Sequence, residues 1–202
     1  MSISVFRRFL RCGSGTGLER KIGYNFRDKK LLNLAITHRS AVDGFLQSYE
    51  RLEFLGDSVL QQIVTEYLFK KYPLKNEGDL TVIRSVLVNR DWLYDRGLKL
   101  EIQNYLILEK SIDVTNVSTM KTLISDVIEA LLAAIYLDGG IKVARSFVYK
   151  WIFDSDKLNL AVSNFNYKGK LLELCQKKET GYLCLKPGIL MDLIMIGYTL
   201  CL

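Results

Sequence analysis

Five acidic residues in two short segments have the types and spacing for chemistry. Glu50, Glu53 and Asp57 lie in Glu50-Arg51-Leu52-Glu53-Phe54-Leu55-Gly56-Asp57-Ser58-Val59-Leu60, and Asp126 and Glu129 lie in Ile124-Ser125-Asp126-Val127-Ile128-Glu129-Ala130. On a helix the first three fall at i, i+3 and i+7, so at about 100° per residue they share one face. Leu52, Leu55 and Val59 share another face that can enter a core. Carboxylates placed this way repel by a few tenths of a kcal/mol per pair, and an Arg, a Lys or a metal ion usually offsets that. A solvated acidic face is the plain alternative for this triplet taken alone. Gly56 weighs against it, because a mid-helix glycine costs about 1 kcal/mol relative to alanine and is better explained by a close backbone or ligand approach beside Asp57. Asp126 and Glu129 stand at i, i+3 inside an otherwise apolar helix, where burying an unpaired carboxylate costs several kcal/mol. Either a Lys or Arg pairs with them or a hard divalent cation does.

Packing the two segments side by side would join Glu53 and Asp57 to Asp126 and Glu129. Four carboxylates with no histidine or thiolate form an oxygen-only set, which suits Mg²⁺, with Mn²⁺ able to substitute. Such a site activates water and stabilises charge on a phosphodiester. A Ser-His-Asp or Cys-His mechanism is disfavoured, because the only histidine, His38, has no evident nucleophile partner. The four cysteines stand at 12, 175, 184 and 201 with no Cys-x-x-Cys pair, so zinc is not expected. Their scatter, without a secretory signal, suggests a reducing, intracellular setting.

The elements that must position these acids read as all-α over residues 18–155, where apolar positions recur every three or four residues and Pro73 is the only proline. Leu31, Leu34, Ala35 and His38 form one helical stripe. Leu52, Leu55, Val59, Leu60, Ile63 and Val64 form another that runs to Leu68, with Tyr72-Pro73 ending it. A third helix is expected over Leu80 to Leu98, and Ser111 to Thr119 reads as a loop. Leu123 to Leu137 is an apolar helix closed by Asp138-Gly139-Gly140, and Lys142 to Phe153 is a last amphipathic one. Residues 1–17 are basic, lack acids and end in a Gly/Ser run. They have no secretory h-region and read as a flexible N-terminus, with an organelle transit peptide as the alternative. No run approaches the roughly 18 apolar residues of a membrane span. Lys plus Arg is 28 and Asp plus Glu is 22, a net +6. That balance fits a polyanion partner, or simply good solubility.

Taken together, the motifs resemble ribonuclease III over about residues 18–180. Glu50 to Ser58 looks like the family signature, and Thr37-His38-Arg39-Ser40 matches a conserved turn. Glu77-Gly78-Asp79-Leu80-Thr81 with Arg84 and Leu87-Val88-Asn89 matches the next block. Asp126-Val127-Ile128-Glu129-Ala130 with Tyr136-Leu137-Asp138-Gly139-Gly140 matches the last. The resemblance implies a helical nuclease domain over 18–155 that works as a homodimer in the cytoplasm. It would cut double-stranded RNA to 5′-phosphate and 3′-hydroxyl ends and process ribosomal precursors and some messenger and transfer RNA transcripts. It further implies that Glu53, Asp126 and Glu129 are metal ligands, that Asp57 orients the attacking water, and that Asp57 and Glu129 form the catalytic pair. Glu50 and Glu77 match acids near the RNA-binding and dimer surface, His38 is expected to hydrogen-bond within the fold, and Arg39, Arg51 and Arg84 are candidate partners for the acids. Phe54-Leu55 belongs either to the dimer interface or to the core. The segment from Glu109 to Thr122 departs from the family in keeping only Lys121 of its usual basic cluster, and Ser125 replaces the customary alanine. The rival reading is a non-cleaving binder of structured RNA that keeps the nuclease fold.

Residues 156–165 read as a linker. Asn166 to Lys178 resembles the first helix of an α+β double-stranded-RNA-binding domain, with Glu173 and Gln176 at minor-groove contact positions. The strands and helix that should follow are not legible in 181–202, so the domain over 166–202 reads as incomplete. Met191 to Gly197, back-translated and read two nucleotides along, permits the missing Gly-Pro-Asp-His motif. A frameshift after about Glu179 is the hypothesis this suggests. It fails if resequencing the gene shows an alternate frame that stops at once or encodes nothing like the missing elements.

Overall fold

The computed structural model describes residues 17–153, and these are helical, with one isolated parallel bridge between Thr37 and Ile107. The linker, Glu173, Gln176 and the rest of the expected RNA-binding segment lie outside the described residues, as does the N-terminal stretch 1–16. The helices are α1 (Gly17–Ile22), α2 (Lys29–Ala35), α3 (Glu50–Lys71), α4 (Glu77–Leu87), α5 (Arg90–Lys99) and α6 (Val117–Phe147), followed by a π turn over Val148–Ile152.

The centre of the fold is α6. From Leu123 to Ile135 it buries all but Asp126 and Glu129, and it packs against α3, α5 and α2. The facing stripe of α3 is Leu52, Gly56, Val59, Leu60, Ile63, Val64 and Leu68, all buried. Leu55 is only half-buried. Asparagine side chains start three helices by accepting backbone N–H groups that have no intrahelical partner. Asn76 accepts from Asp79, Asn89 from Trp92, and Asn116 from Ser118 and Thr119.

The Asn89 cap corrects the expectation of one helix over Leu80 to Leu98. Asn89 is extended at φ −73°, ψ 156°, so α4 ends and α5 begins there. The side-chain oxygen offers the backbone an alternative to the helical bond, and apolar periodicity does not register that break. His38 also falls outside its expected helical stripe. The helix α2 stops at Ala35, and the Thr37–Ile107 bridge draws the chain into an extended conformation at His38 (φ −76°, ψ 152°). The last helix begins at Val117, inside the expected loop. It is interrupted at Gly140, whose φ of 78° lies in the left-handed region glycine tolerates, close to the expected Asp138-Gly139-Gly140 closure. Asp138 then accepts hydrogen bonds from the Tyr24 hydroxyl (2.6 Å) and from the Arg27 and Asp28 amides (2.8 and 2.9 Å). Those bonds moor the N-terminal segment beside α6. No helix among the described residues is long and apolar enough to cross a membrane.

Candidate active site

The site is built on one backbone contact. Gly56 of α3 lies against Glu129 of α6 so closely that a Cβ there would stand 1.9 Å from the Glu129 carbonyl oxygen and 2.5 Å from its carbon. A side chain of any size is excluded, and that is the role of a glycine that would otherwise weaken the helix. The contact sets Glu53 and Asp57, flanking Gly56 on α3, beside Asp126 and Glu129 on α6.

The four acids share one electrostatic field. Burial pushes the Glu129 carboxyl up to about 8, and the charges of Asp57, Glu53 and Asp126 add to it while Arg90 opposes them. Glu53 is pushed up to about 7, again by burial first, then by Asp126, Glu50 and Asp57 against the pull of Arg90. Asp126 is also raised by burial, partly offset by Arg90 and by the Ser125 hydroxyl, whose oxygen lies 3.4 Å from Oδ1. Beneath them Tyr49 is buried, and burial with the charges of Asp126, Glu53 and Glu50 holds its hydroxyl in the protonated form. Among the described residues no three His, Cys, Asp or Glu side chains are already drawn together in a geometry that would hold a metal ion. The donor set still fits a hard divalent cation by its chemistry: oxygen donors only, one shared field, and more negative charge than the neighbouring side chains neutralise.

The remaining sequence-derived residues fall at varying distance from this cluster. Glu50, the first residue of α3, pairs loosely with Arg39 at 3.4 Å and contributes to the field on Glu53. Glu77 stands exposed in the first turn of α4, accepting from the Thr81 hydroxyl at 3.2 Å. It lines a separate cleft of about 530 Å³ between α4 and the C-terminal half of α3, with Thr65, Phe69, Tyr72 and Arg84. His38 bonds within the fold as expected: Nδ1 accepts from the Ser40 amide at 3.1 Å and lies 2.9 Å from its hydroxyl, and burial lowers its basicity. Of the expected cationic partners only Arg39 meets an acid of the segment. Arg84 donates to the Thr65 hydroxyl at 2.9 Å, and Arg51 is exposed. Lys121 pairs with Asp91 at 2.8 Å.

Two neighbours of the cluster escaped the sequence reading. Arg90 stands 4.0 Å from Asp126 Oδ1. The Gln61 amide donates to both Asp57 oxygens at 2.9 Å. Gln61 had a usable signal, since it follows Asp57 by four residues on one helix face. Arg90 had none, because it comes from a different helix.

The raised carboxyls make stability depend on pH. Their folded-state pKa values lie above the ordinary 4.5, so the folded chain holds these protons more tightly than the unfolded one does. The favourable contribution is complete below about 4.5 and is lost as pH rises through about 7 for Glu53 and about 8 for Glu129. In chelator, the melting temperature should therefore fall across that window, and Mg²⁺ should restore it at the alkaline end. A flat profile that Mg²⁺ leaves unchanged would contradict a shared acidic field.

The sequence profile of a family described as Ribonuclease-III-like matches residues 28–156. Among curated proteins, the Ribonuclease 3 of Rhodopirellula baltica is 42% identical over 160 residues, covering 78% of this chain and 59% of the relative. The Ribonuclease 3 of Protochlamydia amoebophila is 38% identical over 163 residues, covering 79% and 67% respectively. The chain thus spans roughly three-fifths to two-thirds of these relatives. Among solved structures, the nuclease domain of ribonuclease III from Campylobacter jejuni, described for flexibility in a region involved in dimer formation, superposes with a TM-score of 0.63 at 35% identity. The superposition covers 67% of this chain and 94% of that one. Giardia Dicer shares the fold at a TM-score of 0.54 and 23% identity.

Proposed function

The chain belongs to the ribonuclease III family, and on that footing we propose that it is a divalent-metal-dependent endonuclease of double-stranded RNA. The observation that carries the reading is the Gly56–Glu129 contact, which sets two acids of α3 beside two of α6. Glu53, Asp126 and Glu129 would hold the cation, with Mg²⁺ the natural occupant and Mn²⁺ a substitute. When bound, the cation neutralises charge on the phosphodiester and acidifies the attacking water.

Around it the chain's own groups have separate tasks. Asp57 accepts a hydrogen bond from the attacking water and aims it at phosphorus. Gln61, donating to both Asp57 oxygens, sets the direction of that carboxylate. Asp126 and Glu129 are half-buried on α6, which limits the access of bulk water to them. In-line attack leaves a 5′-phosphate and a 3′-hydroxyl. Glu50 and Glu77 lie further out and act on the RNA-binding or dimer surface.

A homodimer completes the proposal. Phe54 projects from the same helix turn as Glu53 with 80% of its surface exposed, although a side chain of that size is ordinarily covered. A second copy burying it would bring two acidic clusters to one duplex. The setting we propose is the cytoplasm, with structured ribosomal, messenger and transfer RNA precursors as substrates.

The test uses purified protein and an end-labelled duplex, with and without Mg²⁺, alongside sedimentation of the protein alone. Metal-dependent shortening of the duplex, by a protein that sediments as a dimer, is expected. A gel shift without shortening at any metal concentration would favour a non-cleaving RNA binder, and a monomer would remove the role given to Phe54.

A further inference from the structure

We infer that Arg90 is a tethered counter-cation of the acidic cluster, which neutralises Asp126 while no divalent ion is bound and competes with that ion for the carboxylates. The inference rests on the metal-binding reading above and assigns a positioning residue to the same site.

Arg90 is the first residue of α5, directly after the Asn89 cap, so its backbone is fixed by a bonded helix start. Its side chain is another matter, being 61% exposed and reaching across to Asp126, whose side chain is only 13% exposed. The separation of 4.0 Å is too long for a hydrogen bond, whereas a locked guanidinium–carboxylate pair closes to about 2.7–2.9 Å. The pair is therefore held by charge alone, and the guanidinium can withdraw without breaking directional bonds.

The charge of Arg90 also bears on Glu53 and Glu129, opposing the repulsion among the acids at each. The other nearby cations are committed to other groups: Arg39 reaches the outer acid Glu50, and Lys121 is paired with Asp91. The acids repel one another across the α3–α6 contact, and one guanidinium supplies a single unit of the positive charge that offsets this. A divalent cation would supply two. Once it binds, the guanidinium and the ion repel, so Arg90 must swing out and its stabilisation of Asp126 is lost. Arg90 thereby weakens ion binding relative to a cluster without it.

The experiment is direct titration of Mn²⁺ into the full chain without RNA, following free Mn²⁺ by electron paramagnetic resonance. Arg90→Ala should bind Mn²⁺ about three- to tenfold more tightly than the parent chain, as expected for removing a partly screened like charge. Arg90→Lys, which keeps the charge, should stay near the parent value. Lys70→Ala is the control: it removes a positive charge paired with Glu66, about 20 Å along α3 from Asp57, and should change nothing. Arg90→Gln provides a second neutral variant should the alanine chain fail to fold. Unchanged or weaker Mn²⁺ binding by the neutral variants would overturn the inference and leave the metal site standing. No Mn²⁺ uptake by the parent chain would overturn both.

Discussion

Glu129→Gln and Asp57→Asn should each lower the rate of duplex cleavage by about a thousandfold or more, a barrier increase of about 4 kcal/mol, while the protein still folds and binds duplex. Both substitutions keep the side chain's shape and remove its charge. For Glu129 the consequence for folding runs opposite to that for catalysis. Its carboxyl is pushed up to about 8 by burial and by Asp57, Glu53 and Asp126, so its ionised form is under strain in the metal-free chain. Glutamine resembles the protonated acid and relieves that strain. At alkaline pH in chelator, Glu129→Gln should melt above the parent chain and should lose the stabilisation by Mg²⁺. Greater stability with abolished cleavage is a signature that a general structural defect does not produce. Single-turnover cleavage at saturating Mg²⁺ and calorimetric melts provide the two readouts. Cleavage at the parent rate by either variant would remove that residue from the mechanism.

Gly56→Ala has the largest effect expected on the fold. The added Cβ would lie 1.9 Å from the Glu129 carbonyl oxygen, and the obstructing atoms are backbone of a buried helix rather than the end of a movable side chain. The helices α3 and α6 must separate or twist, and the stripe from Leu52 to Leu68 loses its fit against α6. A cost of about 3 kcal/mol or more follows, at the upper end of overpacking, equivalent to a melting temperature lower by roughly 6–12 °C. Gly97 provides the comparison. A Cβ there would meet Ile124 Cγ2 at 2.1 Å, an atom of a buried β-branched side chain rather than of the helix backbone, so Gly97→Ala should cost less than Gly56→Ala but still about 1–3 kcal/mol. Gly44→Ala meets nothing within 4 Å and should be near neutral. Because the same contact aligns the acids, Gly56→Ala should also weaken Mn²⁺ binding in whatever fraction folds. A Gly56→Ala chain that melts within about 1 °C of the parent would show that the two helices do not meet there, and the convergence of the acids would lose its basis.

Much of this was legible because it is local. The apolar spacing from Leu52 to Leu68 marks a helix with one buried stripe, the apolar run from Leu123 to Ile135 marks a helix buried nearly all round, and the structure has both. The acids at i, i+3 and i+7 share a face by helix geometry alone. Gly56 announced a close approach, although its partner was not nameable from spacing. What failed also failed for local reasons. The Asn89 side chain divides one apolar period into two capped helices, and a single bridge at Thr37 pulls His38 out of a helical pattern.

The sequence by itself determined which helix face each of the acids occupies, because that follows from the repeat of a hydrogen-bonded backbone acting over a few residues. Only the tertiary structure decided that Gly56 meets Glu129 across more than seventy positions of chain and that Arg90, not Arg51 or Arg84, faces Asp126. Those pairings depend on where two helices cross and which rotamers fit between them, and spacing along one chain carries no measure of either.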